Sequence, residues 1–135
     1  MSMLIEKVIN SHEVLDKISE GDKNDSLALS FPARMKLALN LVKTAPIYAE
    51  FIKNKNELIV KLGAKVEGEE GKYKINVGTE AFNTFVTEVT AASKQESGLD
   101  RLLVFSQKDL DGSKIKSDVL VSLVVLGLLE NEEPS

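Results

Sequence analysis

The chain has 135 residues and a formal net charge of −4, and 43% of its residues are hydrophobic. These values predict one globular domain, residues 1–135, with a single core. The absence of cysteine excludes disulfides and thiolate metal sites, and one histidine, His12, is too few for an ordinary zinc site. The negative charge argues against a dedicated nucleic-acid binder.

No membrane segment is predicted. The N-terminal residues include the charged Glu6 and Lys7 and lack the apolar stretch of a signal peptide. The longest apolar run, residues 119–129, is interrupted by Ser122 and falls short of the roughly 20 residues that span a bilayer. We therefore expect a cytosolic protein without membrane contact.

The first predicted helix covers residues 3–18, where apolar side chains recur at helical spacing. The turn composition of residues 21–26 ends it, so residues 1–26 form an N-terminal helix and loop. His12 is expected at the surface of this helix, because its neighbours in the chain do not face it.

The second helix is the longest predicted element. Ser30 is a candidate N-cap, Pro32 suits the first turn, and Gly63 is a candidate terminator. Pro46 is expected to kink the helix or to restart it, with Thr44 as the cap of the second half. The apolar face is broad, which indicates burial against more than one neighbour.

Positive charge is concentrated on this second helix. Residues 31–62 carry six Lys or Arg against two Glu, although the whole chain is acidic. The basic stripe is either a solvated helix face or a docking face for an acidic partner or for phosphates. Its members are Arg34, Lys36, Lys43, Lys53, Lys55 and Lys61.

A short strand is predicted over residues 72–77, where apolar and polar residues alternate. Tyr73 and Ile75 should face the helices, and the lysines beside them should face water. A lone strand leaves its backbone groups unpaired, and residues 101–105 are the best candidate partner. The pair is either a closed two-stranded ribbon or an edge that accepts a strand from another chain.

Two further helices are predicted after the strand. Thr79 is expected to cap the third, and Ser117 the last, which is apolar on every side through residue 129. That last helix is either the centre of the core or a surface for self-association. The residues expected to point outward are Val121, Val125 and Leu128, and residues 130–135 are expected to form a flexible tail.

The predicted fold class is mainly α (α+β): a helical hairpin around a long kinked helix, with a small two-stranded β-ribbon and a C-terminal apolar helix. No nucleophile elbow or phosphate-binding glycine loop is present. Residues 109–113 are similar in composition to a calcium loop, but the glycine is misplaced and the closing Glu is missing. We therefore expect no enzyme activity, no cofactor and no bound metal.

The order of these features resembles a widespread group of small tailed-bacteriophage proteins of uncharacterised function. The shared pattern is a long helix with a proline in its middle, a turn and strand of the form G-x-Y-x-I, and a closing apolar helix. The matching residues are Pro32, Pro46, Asn56, Glu57, Leu58, Gly63, Gly71, Tyr73, Ile75, Phe82, Asn83, Asp109, Leu110, Ile115 and Leu120.

The resemblance implies a non-enzymatic phage protein in the cytoplasm of a host bacterium. The leading hypothesis is a tail-assembly chaperone that shields apolar segments of the tape-measure protein and forms a homo-oligomer. The alternatives are an inhibitor that binds a host or defence protein and a nucleic-acid accessory protein that uses the basic stripe.

Overall fold

The architecture is mainly helical, as the sequence predicts. The structure, a computed structural model, describes residues 2–130, and these residues form four α-helices. The helices are α1 (Ile5–Gly21), α2 (Phe31–Leu62), α3 (Glu80–Ser93) and α4 (Ser117–Val125). A two-stranded antiparallel ribbon, β1 (Ala64–Lys65) and β2 (Tyr73–Lys74), lies between α2 and α3. Single 3₁₀ turns cover Lys23–Asp25 and Lys108–Leu110.

The core lies at one end of the molecule. It is built from α1, the first half of α2, and residues 99–129, and its centre contains the fully buried Leu15 and Leu123. Complete burial of such a leucine contributes about 1.5–3 kcal/mol. The remaining part, residues 45–98, contains no buried residue. We call these two parts the core half and the arm.

The helix α2 is continuous through Pro46, so of the two outcomes expected there, a kink or a restart, the restart does not occur. Pro46 and Val42 both lie on the exposed side of the helix. Pro46 has no N–H to donate to the Val42 carbonyl, so this carbonyl lacks its usual partner within the helix. The start of α2 is as predicted, since the Ser30 hydroxyl accepts from the Ala33 N–H at 3.2 Å.

The ribbon differs from the prediction in its pairing. β2 pairs with β1, which precedes it by a short turn, and not with residues 101–105. Closing a short loop costs less entropy than closing a long one. The orientation is as predicted: Tyr73 and Ile75 are half-buried, whereas Lys72 and Lys74 are exposed. The strand is shorter than predicted, because it ends at Lys74 and Val77 is 81% exposed.

Residues 101–105 find their backbone partners elsewhere. The Asn40 side chain donates from Nδ2 to the Leu103 carbonyl at 2.9 Å and accepts the Leu103 N–H at 2.8 Å. Phe105 pairs in parallel with the chain after α4, donating to the Leu128 carbonyl at 2.7 Å and accepting from the Glu130 N–H at 2.9 Å. This segment therefore needs no strand from the ribbon.

The last helix is shorter than predicted. α4 ends at Val125, and Gly127, with φ of 75°, turns the chain back onto the core. Leu128 is consequently 3% exposed, so its predicted outward orientation is wrong. Ser117 is the first helical residue and its side chain makes no cap hydrogen bond, so the predicted cap is also wrong. Of the tail expected at 130–135, residues 131–135 lie outside the described part of the chain.

Candidate interaction surfaces

An apolar groove of about 480 Å³ lies between α2, α3 and the start of α1. The side chains of its floor are Ile5, Ile47, Phe51, Leu58, Val89 and Ala92. Its rim contains both signs of charge, with Glu50 and Glu88 as acids and Lys55 as a base. A groove of this kind suits the apolar face of an amphipathic helix, whose own flanks carry mixed charge.

One wall of the groove, α3, is fastened to the start of α1 just beyond its C-terminal end. At the N-terminus, Thr79 Oγ1 accepts from the Phe82 N–H at 3.1 Å, which is the predicted cap. Beyond the C-terminus, the Gln95 carbonyl accepts from the Ile5 N–H at 2.9 Å, and Lys94 forms an ion pair with Glu6 at 2.9 Å. No residue of α3 is buried. The middle of α3 therefore leaves the apolar side of α2 partly uncovered.

A second apolar surface lies on α4. Val121 and Val125 are 61% and 79% exposed, as predicted, and they border a cavity of about 410 Å³ together with Leu110 and Leu120. Leu128 does not belong to this surface, because it is in the core. Whether the surface mediates self-association stays a prediction.

Two of the six predicted basic residues form ion pairs that join the first half of α2 to other segments of the core half. Arg34 donates from Nε to Asp22 at 3.0 Å and forms a second pair with Asp25 at 2.7 Å. The hydrogen bond from Arg34 lowers the pKa of Asp22 below its usual value. Lys36 pairs with Asp109, whose side chain also accepts from the Ser106 N–H at 2.9 Å.

The Lys36–Asp109 pair gives residues 109–113 a structural role. Burial by itself raises the pKa of Asp109, but the Lys36 ammonium and the bonds from Ser106 outweigh it and hold the pKa below its usual value. This carboxylate fastens a turn to α2 and is not arranged as a calcium ligand. Across residues 2–130 the structure contains no group of three or more His, Asp or Glu side chains arranged for a metal ion.

The other four basic residues do not share one face of α2. A helix turns by about 100° per residue, so Lys43 and Lys61 point in nearly the same direction. On the same basis Lys53 lies roughly 80° to one side of them and Lys55 roughly 120° to the other. The predicted basic stripe is therefore not a continuous surface, since its charges are spread around the helix and two are used in ion pairs.

His12 is not a surface histidine, contrary to the prediction. It lies between α1 and α2, where its ring stacks on Tyr48 with a centroid distance of 4.3 Å and a hydrogen bond of 2.9 Å joins Nδ1 to Thr44 Oγ1. Thr44, the expected N-cap of the second half of α2, is instead fully buried and takes part in this contact. The cluster joins α1 to α2 and fixes their relative orientation.

Sequence reasoning expected the broad apolar face of α2 to be buried and therefore did not locate the groove. Phe51, Leu58 and Val89 occur at the helical spacing that core residues share, and spacing does not reveal whether a neighbour covers them. The amount of apolar surface could have indicated the groove. The helices α2 and α3 together present more apolar surface than one short ribbon and α1 can cover.

Comparison of the chain with protein-family models, with curated proteins and with solved structures found no match. The resemblance to phage proteins therefore stays a prediction. No α-helix within residues 2–130 combines the length and the hydrophobicity that crossing a bilayer requires.

Proposed function

We propose that the protein is a non-enzymatic binding protein that holds an apolar helix of a partner protein in the groove between α2 and α3. The observation that carries the proposal is the apolar floor of this groove, which the helices of the chain leave open. In the phage setting that the resemblance implies, the partner is the tape-measure protein. The role is then tail-assembly chaperone in the host cytoplasm.

The shape of the groove supports a helix as its occupant. Its two walls are helices, and its floor places Phe51, Leu58 and Val89 where they can contact successive turns of a third helix. An amphipathic helix presents apolar residues at i, i+3, i+4 and i+7, and this is the pattern by which grooves of this kind recognise partners. Burial of the floor also removes apolar surface from water at roughly 25 cal/mol per Å².

The dispersed basic residues do not favour the nucleic-acid alternative. Binding of a duplex needs several cations along one surface, since each neutralised phosphate adds to the affinity. Arg34 and Lys36 instead pair with Asp22 and Asp109 and hold the first half of α2 against other segments of the core half. A groove with an apolar floor offers no comparable site for phosphates.

Filling the groove with a large side chain tests the proposal. Ala92 lies on the groove floor, whereas Ala91 is exposed and is not part of the lining. We expect Ala92→Trp to weaken binding of an apolar tape-measure segment about tenfold or more, and Ala91→Trp to leave it unchanged. Binding is measured by isothermal titration, with circular dichroism to confirm that both variants remain folded.

Two results would contradict the proposal. One is the absence of binding to any apolar segment of the tape-measure protein. The other is equal binding by the Ala92→Trp and Ala91→Trp variants, which would place the contact outside the groove.

A further inference from the structure

A second apolar stripe runs along the outer side of α2, opposite the core. Its members are separated alternately by four and three residues, and we call them the outer seam. The outer seam consists of Phe31, Met35, Ala38, Val42, Ala45 and Ala49. Phe31 and Val42 are 76% and 71% exposed. The stripe extends over 18 residue steps, which corresponds to about 27 Å of helix.

The spacing of the outer seam is the spacing by which two helices pack along their length. Apolar residues that repeat every 3.5 residues stay on one side of a helix and face a partner helix continuously. The buried residues of the same helix, among them Leu37 and Thr44, lie on its other side and already contact α1 and the core. The outer seam is therefore additional to the face that the fold uses.

We propose that the outer seam is the interface of a homodimer, in which the α2 helices of two copies pack antiparallel about a two-fold axis. The large residues are at the start of the seam and the small ones at its end. An antiparallel pair therefore sets large against small at each level, and the seam is complementary to itself. The facing pairs from opposite copies are Phe31 with Ala49, Met35 with Ala45, and Ala38 with Val42.

A parallel pair does not have this complementarity. It would set Phe31 against Phe31 at one end and Ala49 against Ala49 at the other. The first contact overfills the interface and the second leaves a void, and both are unfavourable in packed helices. The order of residue sizes along the seam thus selects the antiparallel orientation.

The charges of α2 are compatible with this contact. Lys36 and Lys43 lie roughly 120° around the helix from the seam, so they do not meet their copies. Arg34, which is closer, is already paired with Asp22 and Asp25 of its own chain. No lysine or carboxylate is buried when the two seams meet, so the contact avoids the desolvation cost of charge.

The size of the seam predicts a dimer of moderate affinity. A strip about 27 Å long and one helix wide, about 10 Å, has a projected area of roughly 270 Å². Because protruding side chains interdigitate, the accessible surface buried is about twice the projected area, on the order of 500 Å² on each copy. The total of roughly 1,000 Å² reaches the lower limit of specific interfaces. We therefore expect dissociation in the micromolar range.

The dimer leaves the groove between α2 and α3 accessible. The floor residues Ile47, Phe51 and Leu58 lie roughly 160–180° around α2 from the seam. Self-association and partner binding thus use opposite sides of one helix. Loss of one does not entail loss of the other, so the two proposals are tested separately.

Sedimentation velocity as a function of concentration tests the interface. We expect the unmodified chain to dimerise at micromolar concentration and Val42→Glu to be monomeric with unchanged helix content. Val77→Glu is the matched control, because Val77 is 81% exposed and lies outside the seam. A monomer throughout the micromolar range, or a dimer that survives Val42→Glu but is lost in Val125→Glu, would overturn the proposal.

Cysteine cross-linking tests the orientation, since the chain has no cysteine of its own. In the antiparallel dimer, a mixture of Ala38→Cys and Val42→Cys chains forms mixed disulfides on mild oxidation. Ala38→Cys alone reacts several-fold less, because its two copies are offset by four residues, and Cα atoms more than about 7 Å apart do not bridge. Efficient cross-linking of Ala38→Cys with itself would show a parallel pair and overturn the proposed orientation.

Discussion

The core half and the arm of this molecule are built from the same kinds of residue but to different degrees of burial. In the core half, Leu15 and Leu123 are fully enclosed. In the arm, residues 45–98, every apolar side chain keeps some contact with solvent. Regions with few buried contacts open at lower free energy than the core does. A part of the chain that is only half covered can exchange its solvent contacts for those of a partner.

The helix α2 connects the two parts and behaves differently in each. Its first half places Leu37 and Thr44 in the core, whereas its second half places Phe51 and Leu58 in the open groove. Because the helix is continuous through Pro46, the position of the groove wall is set by the packing of the core half. The packing of the core half thus positions a groove whose own part of the chain contains no buried residue.

The largest loss in the free energy of unfolding is expected for a cavity in the core. Leu123→Ala should lower the free energy of unfolding by about 2–5 kcal/mol, because Leu123 is fully buried and its neighbours cannot close the space. Val125→Ala, on the same helix but 79% exposed, should change it by less than about 0.5 kcal/mol. Urea denaturation measures both. Equal effects would mean that α4 is not a core element.

An intermediate loss of stability is expected when the ion pair between Lys36 and Asp109 is removed. Without the Lys36 ammonium, only the hydrogen bonds from Ser106 oppose the effect of burial on the Asp109 carboxylate. Lys36→Met should therefore cost about 1–2 kcal/mol at neutral pH. Lys43→Met is the control, because Lys43 forms no ion pair within residues 2–130.

The lowered pKa of Asp109 predicts how the cost of Lys36→Met depends on pH. In the unmodified chain the pKa of Asp109 is lowered from its ordinary value of 3.8. The stability that Asp109 contributes is therefore fully present above that value and is lost as the pH falls through the folded pKa. The cost of Lys36→Met should accordingly shrink in acid, where a protonated Asp109 no longer needs the ammonium. A cost that stays constant in acid would refute this account.

The sequence predicted those features of the two halves that depend on neighbouring residues. The helices, the cap at Ser30 and the cap at Thr79 follow from spacing and from side chains that bond within one turn. The errors concern contacts between distant residues. Asn40 pairs with Leu103, 63 positions away, and no local pattern shows that an amide side chain replaces a strand partner.

The candidate interaction surfaces were also predicted only in part. Val121 and Val125 were predicted outward from helical spacing, but Leu128 follows a turn at Gly127 that reverses its direction. The outer seam was visible in the sequence as a four-and-three pattern, but it was combined with the core face of α2 into one broad apolar face. Two stripes on one helix separate only when the position of the core is known.

The smallest change in global stability is expected at the junction of α2 and the ribbon, where a substitution should act locally. Gly63 accepts no side chain, because a Cβ atom there would lie 2.5 Å from the Ile59 carbonyl oxygen and 2.7 Å from the Lys74 carbonyl oxygen. Gly63→Ala must therefore separate β2 from the end of α2. The arm contributes little buried surface, so we expect a global change below about 1 kcal/mol.

Hydrogen exchange distinguishes this local effect from a global one. In the Gly63→Ala variant, amides of the ribbon and of α3 should exchange about tenfold faster, while amides around Leu15 and Leu123 keep their protection. Gly112→Ala is a control outside the arm, in a turn where a Cβ atom would meet no neighbour but where a φ of 75° strains alanine. It should leave the exchange of α3 unchanged. If Gly63→Ala instead accelerated exchange in both halves equally, the arm and the core half would unfold as one unit, and the groove would be as rigid as the core that supports it.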